Sequence, residues 1–282
     1  IFYFSGTSQD CYLYIHLNYD PVLFVKRYFP RAKEESALKN ILQISSIKQI
    51  PDKIQGLHKK LPDTCGMAFD VVPVRDYHFY QVLFSTTTFV DATMMVNDCR
   101  QIKSIYEIEQ MKLAAKLSEK TFHFIRDNIR PGISEMEFCG IYETFARKLG
   151  HSGILLNRYY RSTGYVFHLL SGGHGGIIGS VDTPCCGNGT SISHPFGASG
   201  KIIQENEPIF IDFGTILNGY NIDETRMFVM GKMEQKAMDA SKASIEILHR
   251  LLSEMQPGVA MCEIFEKSVL HAKKLGYEEQ FL

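Results

Sequence analysis

Two aspartates have a spacing that could form a metal site. Asp212 and Asp223 flank an Asn-Gly pair at positions 218 and 219, in the stretch IDFGTILNGYNIDETRMF. Asn-Gly is the preferred pair for a two-residue type I′ turn, because both turn positions need a positive φ. The resulting hairpin pairs Gly214 with Asp223 and Asp212 with Thr225. Since side chains alternate between the faces of a strand, these four residues share one face.

On this register the two carboxylates are diagonal neighbours, with backbones about 7 to 8 Å apart. Gly214 is expected to leave room between them. In an apolar setting the two negative charges repel and lose hydration, which raises one pKa unless a cation lies between them. Oxygen ligands favour hard divalent ions such as Mn or Mg over structural zinc. An aspartate pair pointing into solvent from an amphipathic hairpin is the alternative that stays open.

The other face of the hairpin is expected to be the packing face. Glu224 and Arg226 lie on it and are expected to pair with each other or with a neighbour rather than to do chemistry. The predicted residues of this face are Ile211, Phe213, Ile222, Glu224, Arg226 and Phe228.

Two amphipathic helices must support this hairpin. Apolar residues recur at helical spacing over residues 104–129, with Ser104 as N-cap and Glu107 three residues later. A second helix is predicted over residues 134–150, starting at Ser134 and closed by Gly150.

The helix pair is repeated. PGISEMEFCGIYETFARKLGH, from Pro131, returns as PGVAMCEIFEKSVLHAKKLGY from Pro257, a displacement of 126 residues. The sequence therefore predicts two related halves of one domain, each with two helices followed by strands. A chance agreement between two ordinary helix pairs is the alternative.

Residues 1–102 form a separate unit with alternating strand and helix patterns. DCYLYIHL and YDPVLFVKRY predict strands, AKEESALKNIL has helical periodicity, and the region ends in a helix after TTTFVD. The fold class is therefore α+β, with an α/β domain at 1–102 and a second domain at 103–282.

The composition excludes several classes of function. The 30 basic and 31 acidic residues give a net charge of -1 without long runs, so phosphate neutralisation on nucleic acid has no support. No apolar stretch is long enough to span a membrane. Seven cysteines, an odd number at irregular spacing with only Cys185 and Cys186 adjacent, argue against a disulfide framework and for a reducing, cytoplasmic location.

Two other segments contain residue types that could form a site. SGGHGGIIGS, at 171–180, is glycine-rich but lacks a dinucleotide-binding register and a clear preceding strand, so a dinucleotide role is not expected. His174 could approach the active site, but the favoured interpretation is a mobile loop residue. Tyr159, Tyr160 and Tyr165 are interpreted as packing residues rather than a substrate cage.

IDFGTILNGYNIDETRMFVMG resembles the first half of the metal site of the pita-bread metallopeptidases, the family of methionine aminopeptidase, aminopeptidase P, prolidase and creatinase. RQIKSIYEIEQMKLAAK and GASGKIIQENEPIFIDFG resemble the segments that precede this site in Xaa-Pro peptidases. Residues 1–102 look like a creatinase-type N-terminal domain. The resemblance thus covers nearly the whole chain and implies a pita-bread catalytic domain with an internal two-fold repeat.

The family resemblance implies a metal-dependent Xaa-Pro peptidase in which a metal-bound hydroxide attacks the bond before proline. Asp212 and Asp223 would be ligands of two divalent ions, with Mn expected and Co or Zn as alternatives, and Thr225 could hydrogen-bond a ligand. His194, 18 residues before Asp212, matches a substrate-binding histidine and is the catalytic candidate. The implied partners are a peptide with proline at its second position and a second copy of the chain, as a homodimer.

One departure from the family pattern affects these expectations. The remaining ligands of the family, one His and two Glu, are expected beyond Leu282, so the pita-bread domain is expected to be truncated and the chain inactive unless the site is completed. Two alternatives stay open: a creatinase-like hydrolase that is not a peptidase, and a non-catalytic protein-binding relative. The presence of both Asp212 and Asp223 counts against each.

Overall fold

The computed structural model describes residues 1–155, 158, 166–179 and 184–281. Tyr159, Tyr160 and Tyr165, for which packing roles were predicted, lie outside this part. The chain divides into two compact units, Ile1–Ile102 and Lys103–Leu282. In the described residues, no helix combines the length and the apolar character needed to cross a membrane.

The first unit contains a three-stranded and a two-stranded sheet. In the larger sheet the central strand β2 (Tyr19–Val25) runs antiparallel to β1 (Cys11–His16) and parallel to β3 (Asn40–Gln43). Strands β4 (Thr64–Met67) and β5 (Thr88–Asp91) form a parallel pair. The helices are α1 (Phe2–Ser5), α2 (Phe29–Glu35), α3 (Ile50–His58), α4 (Val74–Leu83) and α5 (Thr93–Gln101), with a 3₁₀ turn at Ile47–Gln49.

Strand β2 is covered on both faces, which explains its continuous apolar run. Val22 and Phe24 pack in one buried cluster, while Leu23 and Val25 pack in another. The two predicted strands of this region are confirmed. The helical interpretation of AKEESALKNIL is wrong in its second half, because α2 ends at Glu35 and the next apolar residues pair with β2 as strand β3.

The second unit packs two helices on one face of an antiparallel sheet. The helices are α6 (Ile105–Asn128), α7 (Glu135–Lys148), α8 (Gln235–Glu254) and α9 (Met261–Lys274). The strands are β6 (Phe167–Ser171), β7 (Ile209–Leu217) and β8 (Tyr220–Phe228), in the order β6-β7-β8, with 3₁₀ turns at Gly172–Gly176 and Glu278–Gln280. Helices α6 and α7 bury their apolar faces against β6 and β7 in a single core.

The predicted helix signals are present. The Ser104 hydroxyl accepts from the Glu107 N–H while the Glu107 carboxylate accepts from the Ser104 N–H, which completes the capping box of α6. Ser134 caps α7 by accepting from the Glu137 N–H. The repeat is present as well, since α8 ends 126 residues after α6, and α9 begins and ends 126 residues after α7.

Candidate metal centre

The predicted hairpin register is confirmed. Asn218 and Gly219 have φ values of 53° and 81°, as a type I′ turn requires. Gly214 lies opposite Asp223, and Asp212 lies opposite Thr225. A two-residue turn with this chemistry therefore determined the pairing of both long strands.

The two faces of β7 have different environments. Ile211, Phe213 and Thr215 are fully buried in the core, so Asp212 and Gly214 lie on the opposite, partly exposed face. Gly214 does not serve only to separate the carboxylates. A Cβ at this position would lie 3.0 Å from the Cγ1 of Val166. The missing side chain therefore also allows Val166 to pack closely against the strand.

The electrostatics of Asp223 show that its neighbourhood disfavours negative charge. Its pKa is raised, first because protein atoms displace water around the carboxyl group, and then because of the negative charge of Asp212 and a hydrogen bond between the two carboxyl groups. Asp223 nevertheless remains exposed, which leaves it open to an incoming cation. The Thr225 hydroxyl donates to Asp212 Oδ1 at 3.0 Å, as predicted, and orients that carboxylate.

These residues fit a divalent cation. A positive ion between the two carboxylates would favour the ionised form of Asp223, whose pKa is raised by burial and then by the charge of Asp212. Carboxylate oxygens are also ligands that hard divalent ions accept. In the described residues, no group of three or more His, Cys, Asp or Glu side chains is arranged around a common metal position. The structure brings Asp212 and Asp223 together, while His194, the catalytic candidate, does not join them in such a group.

His168 is a neighbour of this site that sequence reasoning missed. It lies directly opposite Asp212 on β6, and its Nε2 is 2.8 Å from the carbonyl oxygen of Cys185. Burial of the thiol and then the charge of Asp212 raise the pKa of Cys185, although that residue is exposed overall. The segment that follows residue 183 thus approaches the carboxylate face. The alternation in VFHLL could have indicated the face of His168, but not its register with β7.

His194 lies in a tight loop within the same segment. Its carbonyl oxygen accepts from the Thr190 N–H at 3.2 Å, and its N–H donates to the Ser191 carbonyl at 2.9 Å. Its ring lies 4.2 Å from that of Phe196, centroid to centroid. The histidine is half-buried, and the two backbone hydrogen bonds hold its main chain in the loop.

His174 is not the mobile loop residue that the sequence indicated. The glycine-rich stretch follows strand β6 directly and folds into a 3₁₀ turn, which corrects the expectation of no clear preceding strand. His174 is only 5% exposed. Its imidazole contacts the buried carboxylate of Glu135, a residue far away in the sequence, which is why local composition gave no signal.

The packing face of the hairpin is as predicted. Arg226 Nη2 and Glu224 Oε1 form an ion pair at 3.0 Å. The same guanidinium lies over the ring of Phe122, 5.1 Å from its centroid. These charges are used in packing between β8 and α6, so the carboxylates available for chemistry are those of the opposite face.

Models of known protein families match both units of the chain. The model of metallopeptidase family M24 matches residues 109–282, and that of the creatinase/prolidase N-terminal domain matches residues 1–102. This chain belongs to metallopeptidase family M24. The expected fold class, a creatinase-type α/β domain followed by pita-bread architecture, is confirmed, and family membership implies divalent metal ions.

Individual relatives are distant. The chain is 24% identical to the methionine aminopeptidase of Clostridium acetobutylicum over 176 residues, which cover 62% of this chain and 63% of the relative. It therefore spans less than two thirds of that protein. It is 23% identical to the Xaa-Pro dipeptidase of Pyrococcus furiosus, over 100% of this chain and 72% of the relative.

Solved structures share the fold. The X-Pro aminopeptidase from Thermotoga maritima MSB8 superposes with a TM-score of 0.81 at 22% identity, covering 99% of this chain and 72% of that one. The prolidase from Pyrococcus furiosus gives a TM-score of 0.78 at 22% identity, covering 100% and 74%. The likeness establishes a common fold across both units.

Proposed function

We propose that this chain provides the aspartate ligands of a metal-dependent peptidase that cleaves the bond before proline. The observation that carries the proposal is the juxtaposition of Asp212 and Asp223 on one face of the β7–β8 hairpin, where burial and then the charge of Asp212 raise the pKa of Asp223. Membership of family M24 and the names of the Xaa-Pro relatives support the substrate class.

Asp212 and Asp223 would hold the divalent ions, and Thr225 would keep the Asp212 carboxylate oriented through its 3.0 Å hydrogen bond. When bound, the metal supplies Lewis acidity at the carbonyl group of the scissile bond. By the resemblance to the pita-bread metallopeptidases, we further propose two ions per site. We propose manganese as the physiological metal, because the ligand atoms are hard oxygens.

His194 is proposed to hydrogen-bond the substrate carbonyl and stabilise the charge that develops on it. Its backbone is held by two hydrogen bonds in a tight loop and its ring packs against Phe196, which favours such a fixed donor. The substrate is proposed to be a peptide with proline at its second position, and the protein to act as a homodimer.

Hydrolysis of Xaa-Pro and Xaa-Ala peptides in the presence of Mn²⁺, by the protein with its metal site complete, tests the proposal. We expect cleavage specific for Xaa-Pro, reduced at least about a thousandfold by Asp223→Asn, because the reaction requires the metal-supported step. Asp239→Asn, a change at an exposed aspartate on α8, is the matched control and should leave the rate unchanged. Equal cleavage by the Asp223→Asn variant, or the absence of any metal-dependent cleavage, would refute the proposed activity.

A further inference from the structure

A buried carboxylate joins the two ends of the segment that carries His194. Glu135, in the first turn of α7, is fully buried. Its Oε1 accepts from the N–H and the hydroxyl of Ser171, at 2.7 and 2.9 Å. Its Oε2 accepts from the N–H and the hydroxyl of Ser199, at 3.1 and 3.2 Å. Ser171 ends β6 and Ser199 lies beyond His194. The Glu135 side chain therefore holds both ends of the segment that contains His194.

His174 extends this connection to Asn188, which lies between Ser171 and Ser199 in the sequence. Its Nδ1 lies 2.7 Å from Glu135 Oε2, a short contact that is not well aligned for a regular hydrogen bond. Its Nε2 accepts from the N–H of Asn188 at 2.7 Å. Because Nε2 is an acceptor, a neutral imidazole must carry its proton on Nδ1, facing the carboxylate.

Asn188 lies at the base of the loop that presents His194, which we call the His194 loop, residues 185–197. The loop is closed by the Gly197 N–H, which donates to the Cys186 carbonyl at 2.7 Å, and by the Gly189 N–H, which donates to the Gly197 carbonyl at 3.1 Å. Gly187 has a φ of 70°, and a Cβ there would lie 2.5 Å from Leu170 Cδ2 and 3.2 Å from His174 Cε1. The loop therefore packs closely on the imidazole that holds it.

We propose that Glu135 and His174 are positioning residues that fix the His194 loop over the aspartate face. The contact of Cys185 with His168, which lies opposite Asp212, places the start of the loop at that face. The consequence for His194 rests on the proposed function, whereas the attachment of Asn188 to His174 does not. The key atom is Nε2 of His174, because it is the link between the buried carboxylate and the loop.

Two substitutions distinguish the roles of the two imidazole nitrogens of His174. His174→Gln places a carbonyl oxygen near the position of Nε2 and can still accept from the Asn188 N–H, whereas His174→Asn reaches only as far as Nδ1. We expect the Asn188 amide to exchange its hydrogen about tenfold faster in the Asn variant, since one hydrogen bond is lost. The Gln variant should retain most of the protection. The exchange is followed for each residue by NMR, with His123→Asn, a change at an exposed histidine, as the control.

The result that would overturn the proposal is equal exchange of the Asn188 amide in wild type and in both variants, or equally fast exchange in both variants. If the Asn variant does not fold, the imidazole nitrogen spectrum of the wild-type chain decides. A proton on Nδ1 of His174 supports the proposal, and a proton on Nε2 overturns it. These readouts do not depend on peptidase activity, so a failure of the proposed function leaves their outcome unaffected.

Discussion

The two helix pairs of the second unit show how one sequence pattern can be used in two ways. Helices α6–α7 and α8–α9 are related by the displacement of 126 residues, which holds for the ends of α6 and α8 and for both bounds of α7 and α9. In the first pair Phe122 packs against the sheet and is 7% exposed, whereas its counterpart Leu248 is 52% exposed. The repeat thus conserves the helix pair, while burial depends on what each pair packs against.

The contact between the helices differs in chemistry as well. Phe124 of α6 and Phe145 of α7 stack with ring centroids 4.1 Å apart. At the corresponding positions, Arg250 of α8 and His271 of α9 approach to 3.4 Å between Nη1 and Nδ1. An apolar stack in one pair is therefore a polar contact in the other, which a pattern of apolar positions alone does not distinguish.

The largest effect is expected in the sheet-facing core. Phe122→Ala should lower the free energy of unfolding by about 3 to 5 kcal/mol, because it removes a buried ring next to Phe213. Leu248→Ala, the matched change in the second pair, should cost less than about 1 kcal/mol, because that side chain is half-exposed. Urea unfolding of both variants measures the difference, and equal losses would contradict the comparison.

The next effect concerns the first residues of the two shorter helices. Glu135→Ala should cost about 3 kcal/mol, because it leaves the buried donors of Ser171 and the partly buried donors of Ser199 without their acceptor. Met261→Ala, at the corresponding position of α9, should be nearly neutral, since this side chain is 72% exposed. Thermal unfolding of the two variants tests this. A small loss in the Glu135 variant would show that water replaces the carboxylate without cost.

A smaller effect is expected at the caps. Ser134 caps α7 with its hydroxyl, whereas Ala260 precedes α9 and has no side chain that can do so. Ser134→Ala should therefore lower the free energy of unfolding by about 1 kcal/mol, and Ala260→Ser should raise it by a similar or smaller amount. Denaturation midpoints of the two variants should move in opposite directions, and a shift in the same direction would contradict the capping argument.

The smallest effect is a pH dependence at the end of the first repeat. His151 corresponds to Tyr277 and is buried, with Nε2 2.9 Å from the Gly214 carbonyl and Nδ1 accepting from the Gly153 N–H at 2.8 Å. Burial lowers the pKa of His151 in the folded state.

Because the unfolded chain then binds a proton more readily, stability should decline as the pH falls below the ordinary histidine pKa of about 6.5. The loss should be on the order of 1 kcal/mol and should disappear in His151→Gln. The measurement is the free energy of unfolding between pH 7.5 and 5.5. An equal slope in the variant would assign the effect to another group.

Local signals predicted the parts of the site that are close in sequence. The Asn-Gly turn determined the register that places Asp212 beside Asp223, and the Ser104 and Ser134 caps marked the helix starts. The turn residues and the strand period carry this information within about 18 residues, so no tertiary contact was needed.

The parts that escaped prediction depend on distant partners. Glu135 meets Ser171 and Ser199 across 36 and 64 residues, and neither spacing leaves a pattern in composition or periodicity. His174 resembled a mobile residue because four of its neighbours are glycines, yet those glycines permit close packing around a buried imidazole. A glycine-rich stretch therefore does not by itself indicate mobility.

The central claim is that Asp212 and Asp223 form one cation site, and calorimetric titration of this chain with Mn²⁺ tests it most directly. The account predicts saturable binding that is lost in both Asp212→Asn and Asp223→Asn and is retained in Asp239→Asn. Binding that persists in either of the first two variants, or a wild-type chain that binds no Mn²⁺, would contradict it.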